Sequence, residues 1–545
     1  MTFHFASAWE AVAQLYPDRL AVICDGKALT WHEYERRGAK VAALLEAHGL
    51  GTDSKVALYL HNSNEYLEAQ FGIFKIGGCP INVNYRYKAD ELLYLLENSD
   101  AEAIFFQACY AMRVWELKDR LKNIKLFVQV ADGTEGLMGF AQDHERALRD
   151  HAPQAPRPRD PDGIYMLYTG GTTGIPKGVM YPVGGFTQFF ITMGAADHEL
   201  TPPGSMSEYE DFLGRVSVPP KTVVGCPMMH GTGMWAGCFL PHLLGGTTIA
   251  TSKLGLDADL LWGLVEDYRA TNVVIVGDAF ARPMLSSLDI ARDRGSPYDI
   301  SSLKQMTSSG VMWSQETKQG LLEHHDMILA DVMGSTEGGM GSSVTTRESG
   351  AKTAKFEISE GVKVIADDGA EVEPGSGEIG RLATSNMVPL GYYKDEEKSA
   401  ATFQEIDGVR YSFPGDYAMV ETDGYITLLG RGSACINTGG EKVFPEEVEE
   451  AVKRHDAVFD CLVVGQPDDR FGEAVTALVS LRDYMKVDVA DLLAVVSEYL
   501  AGYKMPRKLY VVDVVKRAPN GKADYKWARQ EAARLAAVEV SERGK

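Results

Sequence analysis

Cysteine is scarce in this sequence, which has seven among 545 residues and no CxxC pair. An odd, scattered set of thiols argues against a disulfide framework and against structural zinc, and it suits a reducing compartment. The first residues, MTFHFASAWEAVAQLYPDRL, lack the basic head and apolar core of a signal peptide, and the last, SERGK, lack a lipidation box. We therefore expect a cytoplasmic protein.

Charged residues are absent between Lys221 and Lys253, the one stretch that could be mistaken for a membrane span. A spanning helix needs ~20 consecutive apolar residues. This stretch instead contains two prolines and six glycines, and both residue types break helices at that density. We predict buried pieces of strand, loop and helix here, and no transmembrane segment.

Basic residues are fewer than acidic ones. The sequence has 54 basic and 76 acidic residues, and its formal net charge is −22. Such a surface repels nucleic-acid phosphates and anionic membranes. We expect no nucleic-acid partner, and any phosphate must bind in a local pocket lined by amides or single basic residues. The chain is otherwise ordinary, with 45% hydrophobic residues, and is long enough for about three to four units of roughly 150 residues.

Helical and strand patterns alternate from the start of the chain. Helical spacing of apolar residues is found in 30–50, 64–78 and 88–100, and strand patterns lie between and after them. This alternation predicts a parallel α/β sheet with helices on both faces. The four prolines of 151–163 predict a loop or linker before the strand and helix signals resume.

The composition shifts again near residue 431. From 432 to 545 the patterns predict three helices and three strands, which is typical of a small α+β unit. We therefore divide the chain into a large domain, 1–430, and a C-terminal domain, 431–545.

The string YTGGTTGIPKG, 168–178, carries the strongest chemical signal. Its glycines let backbone N–H groups approach anionic oxygens, its threonines add hydroxyl donors, and Lys177 adds a positive charge. It is not a Walker A loop, because no Gly-Lys-Ser/Thr follows a four-residue spacer. Taken alone, the string fits a tight turn equally well.

Four further strings follow in order: MGSTEGG (333–339), YSFPGDYAMVETDGYITLLGR (411–431), GRGSACINTGGEKVFPEEVE (430–449) and APNGKADYKWAR (518–529). With the first, they resemble the AMP-forming acyl-CoA synthetases of the adenylating superfamily, over nearly the whole chain. The resemblance implies an α/β fold with a large N-terminal domain of doubly wound βαβ subdomains plus a β subdomain. It also implies a small mobile α+β C-terminal domain that turns about a hinge at 431–434.

The resemblance implies ATP, Mg²⁺ and coenzyme A as ligands. Thr336 would bond the α-phosphate, Thr172 and Glu337 would hold Mg²⁺, and Asp416 would accept both ribose hydroxyls. Gly439 and Gly440 would leave room for the pantetheine arm of CoA, although a plain turn explains them equally well. The nucleotide set that it implies is Thr169, Gly170, Gly171, Thr172, Thr173, Gly174, Lys177, Gly310, Val311, Asp331, Met333, Gly334, Ser335, Thr336, Asp416, Arg431 and Lys522.

Two basic groups complete the catalytic set. Lys522 matches the family's adenylation lysine, which places a cation where two anions, a carboxylate and the α-phosphate, must meet. His230, in CPMMHGTGMWAGCFL, would line the carboxylate pocket, and a packed core histidine is the alternative. Phe186, Phe190 and their neighbours at helical spacing (Phe189 and Met193) predict a core-facing stripe, part of which could border an apolar acyl tunnel.

Several positions depart from the family pattern. Met333 replaces an aromatic residue that stacks on adenine, Ser433 and Ala434 replace charged hinge residues, and Asn437 replaces a lysine. We predict an acyl-CoA ligase for an apolar carboxylic acid, either a fatty acid or a steroid side-chain acid. The alternatives left open are an acyl-AMP ligase that loads a carrier protein and a nucleotide-binding protein that has lost turnover. A homodimer is also left open.

Overall fold

The computed structural model describes residues 3–170, 176–349, 355–438, 441–468, 471–518 and 521–543. Within these ranges the helices are α1 (Phe5–Leu15), α2 (Trp31–Ala47), α3 (Asn64–Lys75), α4 (Ala89–Asn98), α5 (Ala111–Leu117), α6 (His144–Asp150), α7 (Val183–Asp197), α8 (Met206–Arg215), α9 (Leu240–Leu243), α10 (Ala258–Tyr268), α11 (Gly277–Asp293), α12 (Gln315–His324), α13 (Glu396–Thr402), α14 (Pro445–Lys453), α15 (Val489–Ser497) and α16 (Tyr525–Arg543).

The strands of the same described ranges fall into three sheets. They are β1 (Leu20–Cys24), β2 (Lys27–Thr30), β3 (Lys55–Tyr59), β4 (Cys79–Asn82), β5 (Ala101–Gln107), β6 (Leu126–Val130), β7 (Gln142–Asp143), β8 (Ile164–Gly170), β9 (Pro176–Pro182), β10 (Lys221–Val224), β11 (Thr247–Ala250), β12 (Asn272–Ile275), β13 (Gln305–Ser309), β14 (Ile328–Ser335), β15 (Gly338–Thr345), β16 (Lys355–Ile358), β17 (Val362–Ile365), β18 (Gly380–Thr384), β19 (Gly391–Tyr392), β20 (Phe403–Ile406), β21 (Val409–Ser412), β22 (Asp416–Val420), β23 (Ile426–Arg431), β24 (Ile436–Thr438), β25 (Glu441–Val443), β26 (Val458–Asp468), β27 (Gly472–Leu481) and β28 (Lys508–Val511).

The largest sheet of the described chain has fifteen strands in the order β2-β1-β11-β10-β12-β13-β14-β15-β16-β23-β22-β18-β21-β20, with β17 on β18. Strands β1, β11, β10, β12, β13 and β14 pair in parallel. From β14 onward the pairing is antiparallel. The sheet is therefore a doubly wound α/β half continued by an antiparallel β half.

A second sheet contains eight strands in the order β19-β9-β8-β4-β3-β5-β6-β7, parallel from β8 to β7. Five strands near the C-terminus form a third sheet, β25-β24-β27-β26, with β28 on β27. The α/β fold class predicted from the sequence is confirmed by this arrangement. The boundary at 430/431 remains a prediction, although β24 to β28 pair only among themselves in the described residues.

Local signals explain why the predicted elements form. The Thr30 hydroxyl accepts the Glu33 N–H at 3.2 Å and the Glu33 carboxylate accepts the Thr30 N–H at 2.9 Å, so a capping box begins α2. Ser63 caps α3 in the same position of its own helix. The predicted segments 30–50, 64–78 and 88–100 are therefore confirmed as α2, α3 and α4.

The stretch without charges folds as β10, a π-helical segment (Thr232–Phe239), α9 and β11. Val223, Cys238 and Ile249 are fully or almost fully buried, so the apolar composition fills the protein core. None of the helices in the described residues combines the length and the apolar character that crossing a bilayer would require.

The proline-rich segment 151–163 joins two strands of one sheet, because β7 precedes it and β8 follows it in the eight-stranded sheet. Arg159 in this segment is buried and ion-pairs with Glu10 at 2.7 Å. It also donates to the Lys75 carbonyl at 2.8 Å. The segment is therefore a loop fastened to α1 and α3.

Candidate active site

Four parallel strands, β10, β12, β13 and β14, end at the same edge of the fifteen-stranded sheet. His230 follows β10, Gly310 follows β13, and Thr336 and Glu337 follow β14. In open α/β sheets, ligands bind in the crevice beyond the carboxyl ends of the strands. The predicted catalytic residues of the large sheet therefore meet at the edge where this fold type binds ligands.

Lys522 reaches that edge from the C-terminal part of the chain. A Cβ placed on Gly310 would lie 3.9 Å from the Lys522 Cε and 3.9 Å from the Thr232 Oγ1. Gly310 itself has φ +90°, a conformation that side-chain-bearing residues rarely adopt. Lys522 is exposed, and its charge is near enough to His230 to contribute to the lowered pKa of that imidazole.

A short turn holds Lys522 in this place. Arg517 forms a two-pronged ion pair with Asp460, with both N–O distances at 2.7 Å, and the Ala518 N–H donates to the Lys522 carbonyl at 2.8 Å. Gly521 has φ +72°, and a Cβ there would lie 2.9 Å from the Ala279 Cβ at the start of α11. Only glycine fits this contact between the turn and the large sheet.

His230 is half-buried at the beginning of the π-helical segment. Burial, together with the smaller effect of the nearby Lys522 charge, lowers the pKa of His230 to about 3. The imidazole is therefore neutral at physiological pH. It can donate a hydrogen bond to a substrate carboxylate through its one N–H but cannot pair with it as a cation.

Two tyrosines from the eight-stranded sheet fix the Thr336–Glu337 segment. The Tyr181 hydroxyl donates to the Thr336 carbonyl at 2.7 Å, and the Tyr392 hydroxyl donates to the Glu337 Oε1 at 2.8 Å. Both tyrosines are buried, whereas Thr336 and Glu337 are half-buried. The segment therefore lies between the two large sheets, with polar side chains open to a ligand. A carboxylate beside a hydroxyl suits a hard cation such as Mg²⁺.

The described ends of the threonine–glycine string lie in the antiparallel strands β8 and β9, where Thr169 pairs with Lys177 and Gly170 with Pro176. Gly171, Thr172, Thr173 and Gly174 lie outside the described residues. Lys177 forms an ion pair with Asp395 at 2.7 Å. Its predicted phosphate contact therefore stays a prediction, and its resolved partner is a carboxylate.

Asp416 and Arg431 are directly opposite each other in the β22–β23 pair. The predicted ribose residues are thus neighbours, although 15 positions separate them in the sequence. A single turn of 3₁₀ helix, Gly432–Ala434, follows at the predicted hinge. Gly439 and Gly440 lie outside the described residues.

Other predicted nucleotide residues point elsewhere or have different partners. Met333 is buried beside Met340 and Phe356 in the antiparallel half of the sheet. Asp331 is buried beside Lys318 at 3.1 Å, and burial raises its pKa to about 6 despite the lysine charge. Their adenine and phosphate roles stay predictions. Gly334, Ser335 and Val311 lie at the ends of β14 and β13, beside the cleft.

Aromatic rings surround the cleft on the side of the eight-stranded sheet. The half-buried Trp235 packs edge-on against Phe186 and Tyr181, with ring centroids 5.2 Å and 6.1 Å away. Its indole N–H donates to the Tyr165 hydroxyl at 3.0 Å. Phe186 and Phe190 of the predicted stripe are in the core, as expected. Phe189 is half-buried, and Met193 is 37% exposed, so the stripe ends before Met193.

The residues that sequence reasoning missed are Tyr181, Tyr392, Arg517 and Asp460. None belongs to a glycine-rich string or to a periodic pattern with a chemical meaning. Each acts through a contact to a distant part of the chain, which one sequence does not reveal. One cluster of three candidate metal ligands, Glu68, His144 and Glu145, exists in the described residues, but Arg37 ion-pairs with both of its carboxylates.

Comparison with known proteins identifies related sequences and a related fold. The sequence matches the AMP-binding enzyme family over residues 9–393 and the AMP-binding enzyme C-terminal domain over residues 447–522. A 3-oxocholest-4-en-26-oate–CoA ligase of Rhodococcus rhodochrous is 40% identical over 100% of this chain and 98% of its own. A medium/long-chain-fatty-acid–CoA/3-oxocholest-4-en-26-oate–CoA ligase of Mycolicibacterium smegmatis is 40% identical over 99% of this chain and 98% of its own. The solved structure of an anthranilate CoA ligase with anthranoyl-AMP has a TM-score of 0.85 at 21% identity, covering 98% of both chains, and supports the fold.

Proposed function

Since this chain belongs to the AMP-binding enzyme family, we propose that the cleft between Lys522, His230 and Glu337 activates an apolar carboxylic acid as its adenylate. The chain is an acid–thiol ligase, which uses ATP and CoA to form an acyl-CoA thioester. The observation that supports the assignment of the site is the approach of Lys522 to Gly310, with the Lys522 Cε 3.9 Å from where a Cβ of Gly310 would lie. It joins the last motif of the sequence to the edge where the nucleotide motifs end.

The first half-reaction brings two anions together, so it requires electrostatic stabilisation. A carboxylate oxygen of the acid attacks the α-phosphorus of ATP, a new O–P bond forms, and pyrophosphate leaves with the electron pair of the broken O–P bond. Both reacting groups are anions, so a fixed cation between them lowers the barrier. Lys522, held by its turn beside Gly310, supplies that charge.

Mg²⁺ would supply a second positive charge, which neutralises the phosphate oxygens during the transfer. Glu337 would hold it, with Thr172 as the predicted hydroxyl ligand. The residues present fit this ion, because Glu337 is half-buried and supplies a carboxylate of which one oxygen is bonded by Tyr392. Thr336, fixed through its carbonyl by Tyr181, would direct its own hydroxyl toward the α-phosphate.

In the second half-reaction the CoA sulfur attacks the acyl carbon, a C–S bond forms, and AMP leaves with the electrons of the C–O bond. The thiol proton passes to solvent. Lys522 occupies the cleft and must withdraw to admit the thiol. We infer that residues 431–545 turn about the 431–434 hinge between the two steps, which is a hinge closure of the usual kind.

The acid would be a fatty acid or a steroid side-chain acid. Trp235, Tyr181 and Phe186 form an apolar wall between His230 and Thr336, which suits a hydrocarbon better than a charged substrate. The names of the two relatives, each 40% identical over their full length, point to the same two kinds of acid. Neutral His230 would orient the carboxylate without neutralising it.

A substrate panel tests this proposal. AMP release is measured with ATP, CoA and C8 to C18 fatty acids, a cholestenoic-type side-chain acid and aryl acids. We expect turnover with the long apolar acids and much less with the aryl acids. Replacing CoA by a phosphopantetheinylated carrier protein should abolish AMP release. Release that requires the carrier protein would favour the acyl-AMP ligase alternative, and no release with any acid would favour a protein without turnover.

A further inference from the structure

Tyr392 connects the two large sheets at the candidate active site. It is the last residue of β19, at the edge of the eight-stranded sheet, whereas Glu337 follows β14 of the fifteen-stranded sheet. The Tyr392 hydroxyl donates to the Glu337 Oε1 at 2.8 Å, and the tyrosine side chain is buried. A hydrogen bond between a phenol and a half-buried carboxylate is strong enough to choose one orientation of that carboxylate.

The Tyr392 ring is itself held on several sides. Its backbone N–H donates to the Ser399 hydroxyl at 2.8 Å, and its backbone pairs with Val179 of β9. The Phe403 ring lies 5.3 Å away between centroids, and the Lys177 ammonium lies 5.5 Å from the centre of the tyrosine ring. The hydroxyl is therefore held in place relative to β9.

We propose that Tyr392 is a positioning residue that orients the Glu337 carboxylate for the divalent cation of the nucleotide. This inference rests on the proposed function, in which Glu337 holds that cation. Tyr392 bonds one carboxylate oxygen, so the other oxygen is directed to the metal and cannot rotate away from it. Carboxylates that bind metals are usually held by such hydrogen bonds, and losing the partner costs about 10- to 100-fold in metal affinity.

The same part of the structure links the candidate cation site to β9. Lys177 of β9 ion-pairs with Asp395, three residues after Tyr392, and lies over the tyrosine ring. The hydrogen bond of Asp395 with Lys177 lowers the pKa of that carboxyl. These contacts join β9 to the residue that orients Glu337.

The test uses nucleotide binding by the full-length protein, so it does not depend on turnover. ATP binding is measured by calorimetry at a series of Mg²⁺ concentrations, without acid or CoA, for wild type and Tyr392→Phe. Phenylalanine keeps the ring packing and removes only the hydroxyl. We expect the Mg²⁺ concentration for half-maximal ATP binding to rise about 10-fold. At saturating Mg²⁺ the kcat of the variant should return to within about twofold of wild type, since the loss is in affinity.

Tyr393→Phe is the matched control. The neighbouring Tyr393 hydroxyl bonds Asp100 at 2.7 Å, and Asp100 keeps Lys394 as a partner when that hydroxyl is removed. This variant should leave the Mg²⁺ dependence unchanged. An equal shift of the Mg²⁺ dependence in both variants would indicate a general loss of packing around these tyrosines. That result would overturn the positioning role of Tyr392.

Glu337→Gln separates this inference from the proposed function. If Glu337 holds the cation, Glu337→Gln shifts the Mg²⁺ dependence, and adding Tyr392→Phe to it shifts the dependence little further, because there is no longer a metal-binding carboxylate to orient. A shift with Glu337→Gln but none with Tyr392→Phe overturns the role of Tyr392 alone. No shift with Glu337→Gln removes Glu337 from the cation site and overturns both statements.

Discussion

The Lys522 side chain reaches Gly310, with its Cε 3.9 Å from the position that a Cβ would occupy on that glycine. The two residues are 212 positions apart, since Gly310 directly follows β13 and Lys522 lies shortly before α16. This approach brings Lys522, one of three basic residues in the APNGKADYKWAR string, to the end of β13, beside His230 and Thr232. The adenylation chemistry proposed above depends on this approach.

The fit of the Lys522 turn can be tested at Gly521. Gly521→Ala places a Cβ 2.9 Å from Ala279 at a residue with φ +72°, so the turn must move away from α11. A left-handed non-glycine residue costs about 1–3 kcal/mol where the conformation cannot relax. We expect the rate of adenylate formation to fall at least about 10-fold. The rate is measured as pyrophosphate release.

Gly424→Ala is the control for backbone strain alone. Gly424 also has positive φ (+79°), but a Cβ there meets nothing within 4 Å. This variant should lose stability without losing adenylation. If the two alanine variants adenylate equally well at a temperature where both are folded, the Gly521 contact with α11 has no part in the reaction.

The hydrogen bond from Tyr181 to Thr336 should matter for ATP binding in addition to its contribution to stability. Tyr181→Phe removes a buried hydroxyl that bonds the Thr336 carbonyl at 2.7 Å, and we expect a stability loss of about 1 kcal/mol. Tyr209→Phe removes a similar bond, to the Leu243 carbonyl at 2.6 Å. Denaturant unfolding should show similar losses, whereas only Tyr181→Phe should raise KM for ATP, by roughly 5- to 10-fold. A KM for ATP that is equal in the two variants would show that Tyr181 has no role in ATP binding.

His230 should act as a neutral group. Because burial and the charge of Lys522 lower its pKa to about 3, the KM for the acid should not change with an ionisation of His230 between about pH 6 and pH 8. His230→Ala should raise KM for the acid more than KM for ATP, in steady-state kinetics at saturating co-substrate. The reverse pattern would place His230 outside the acid pocket.

The junction between α14 and β23 should make the fold sensitive to pH. Glu446 lies against Gly430, and burial raises its pKa above the ordinary 4.5, with repulsion from Glu449 and Asp416 adding to the shift. Tyr525 faces the same pair from α16. A carboxyl with a raised folded-state pKa contributes stability that is present below pH 4.5 and is lost as pH rises through the folded value.

Thermal unfolding over a pH series checks this sign. The Tm of wild type should fall between about pH 5 and pH 8 more steeply than that of Glu446→Gln, which carries no titrating group there. Arg517 and Lys453 face Glu449 in this region and moderate the effect. Glu498→Gln, at an exposed position, is the control and should follow wild type. Parallel curves for all three proteins would show that Glu446 does not titrate on unfolding.

Much of the fold could be predicted because its signals are local. Thr30 and Glu33 give a capping box at fixed spacing, and the glycine and threonine strings mark the ends of strands where ligands bind. The contacts of Lys177 with Asp395 and of Tyr392 with Glu337 join positions 218 and 55 residues apart. Such partners are set by the way that the two sheets pack, and no spacing in the sequence encodes them.

The proline-rich segment 151–163 also shows that a sequence pattern does not reveal contacts between distant residues. Its four prolines correctly indicate irregular backbone, but they do not reveal that Arg159 is buried against Glu10. A buried arginine needs a partner from a distant element, here α1, and composition alone treats it as a solvated charge. The sequence therefore predicts a loop or linker, whereas in the structure the segment is a loop packed against α1 and α3.

The most direct test of the account is to measure the two half-reactions separately in Lys522→Ala. Pyrophosphate release from ATP and acid should fall by about 100- to 1,000-fold, the range for removing one donor to a developing charge. Thioester formation from added acyl-AMP and CoA should stay within about threefold of wild type. Lys526→Ala, which removes an exposed lysine four residues further on, should change neither step. Equal loss of both half-reactions in Lys522→Ala, or unchanged pyrophosphate release, would contradict the role assigned to the contact with Gly310.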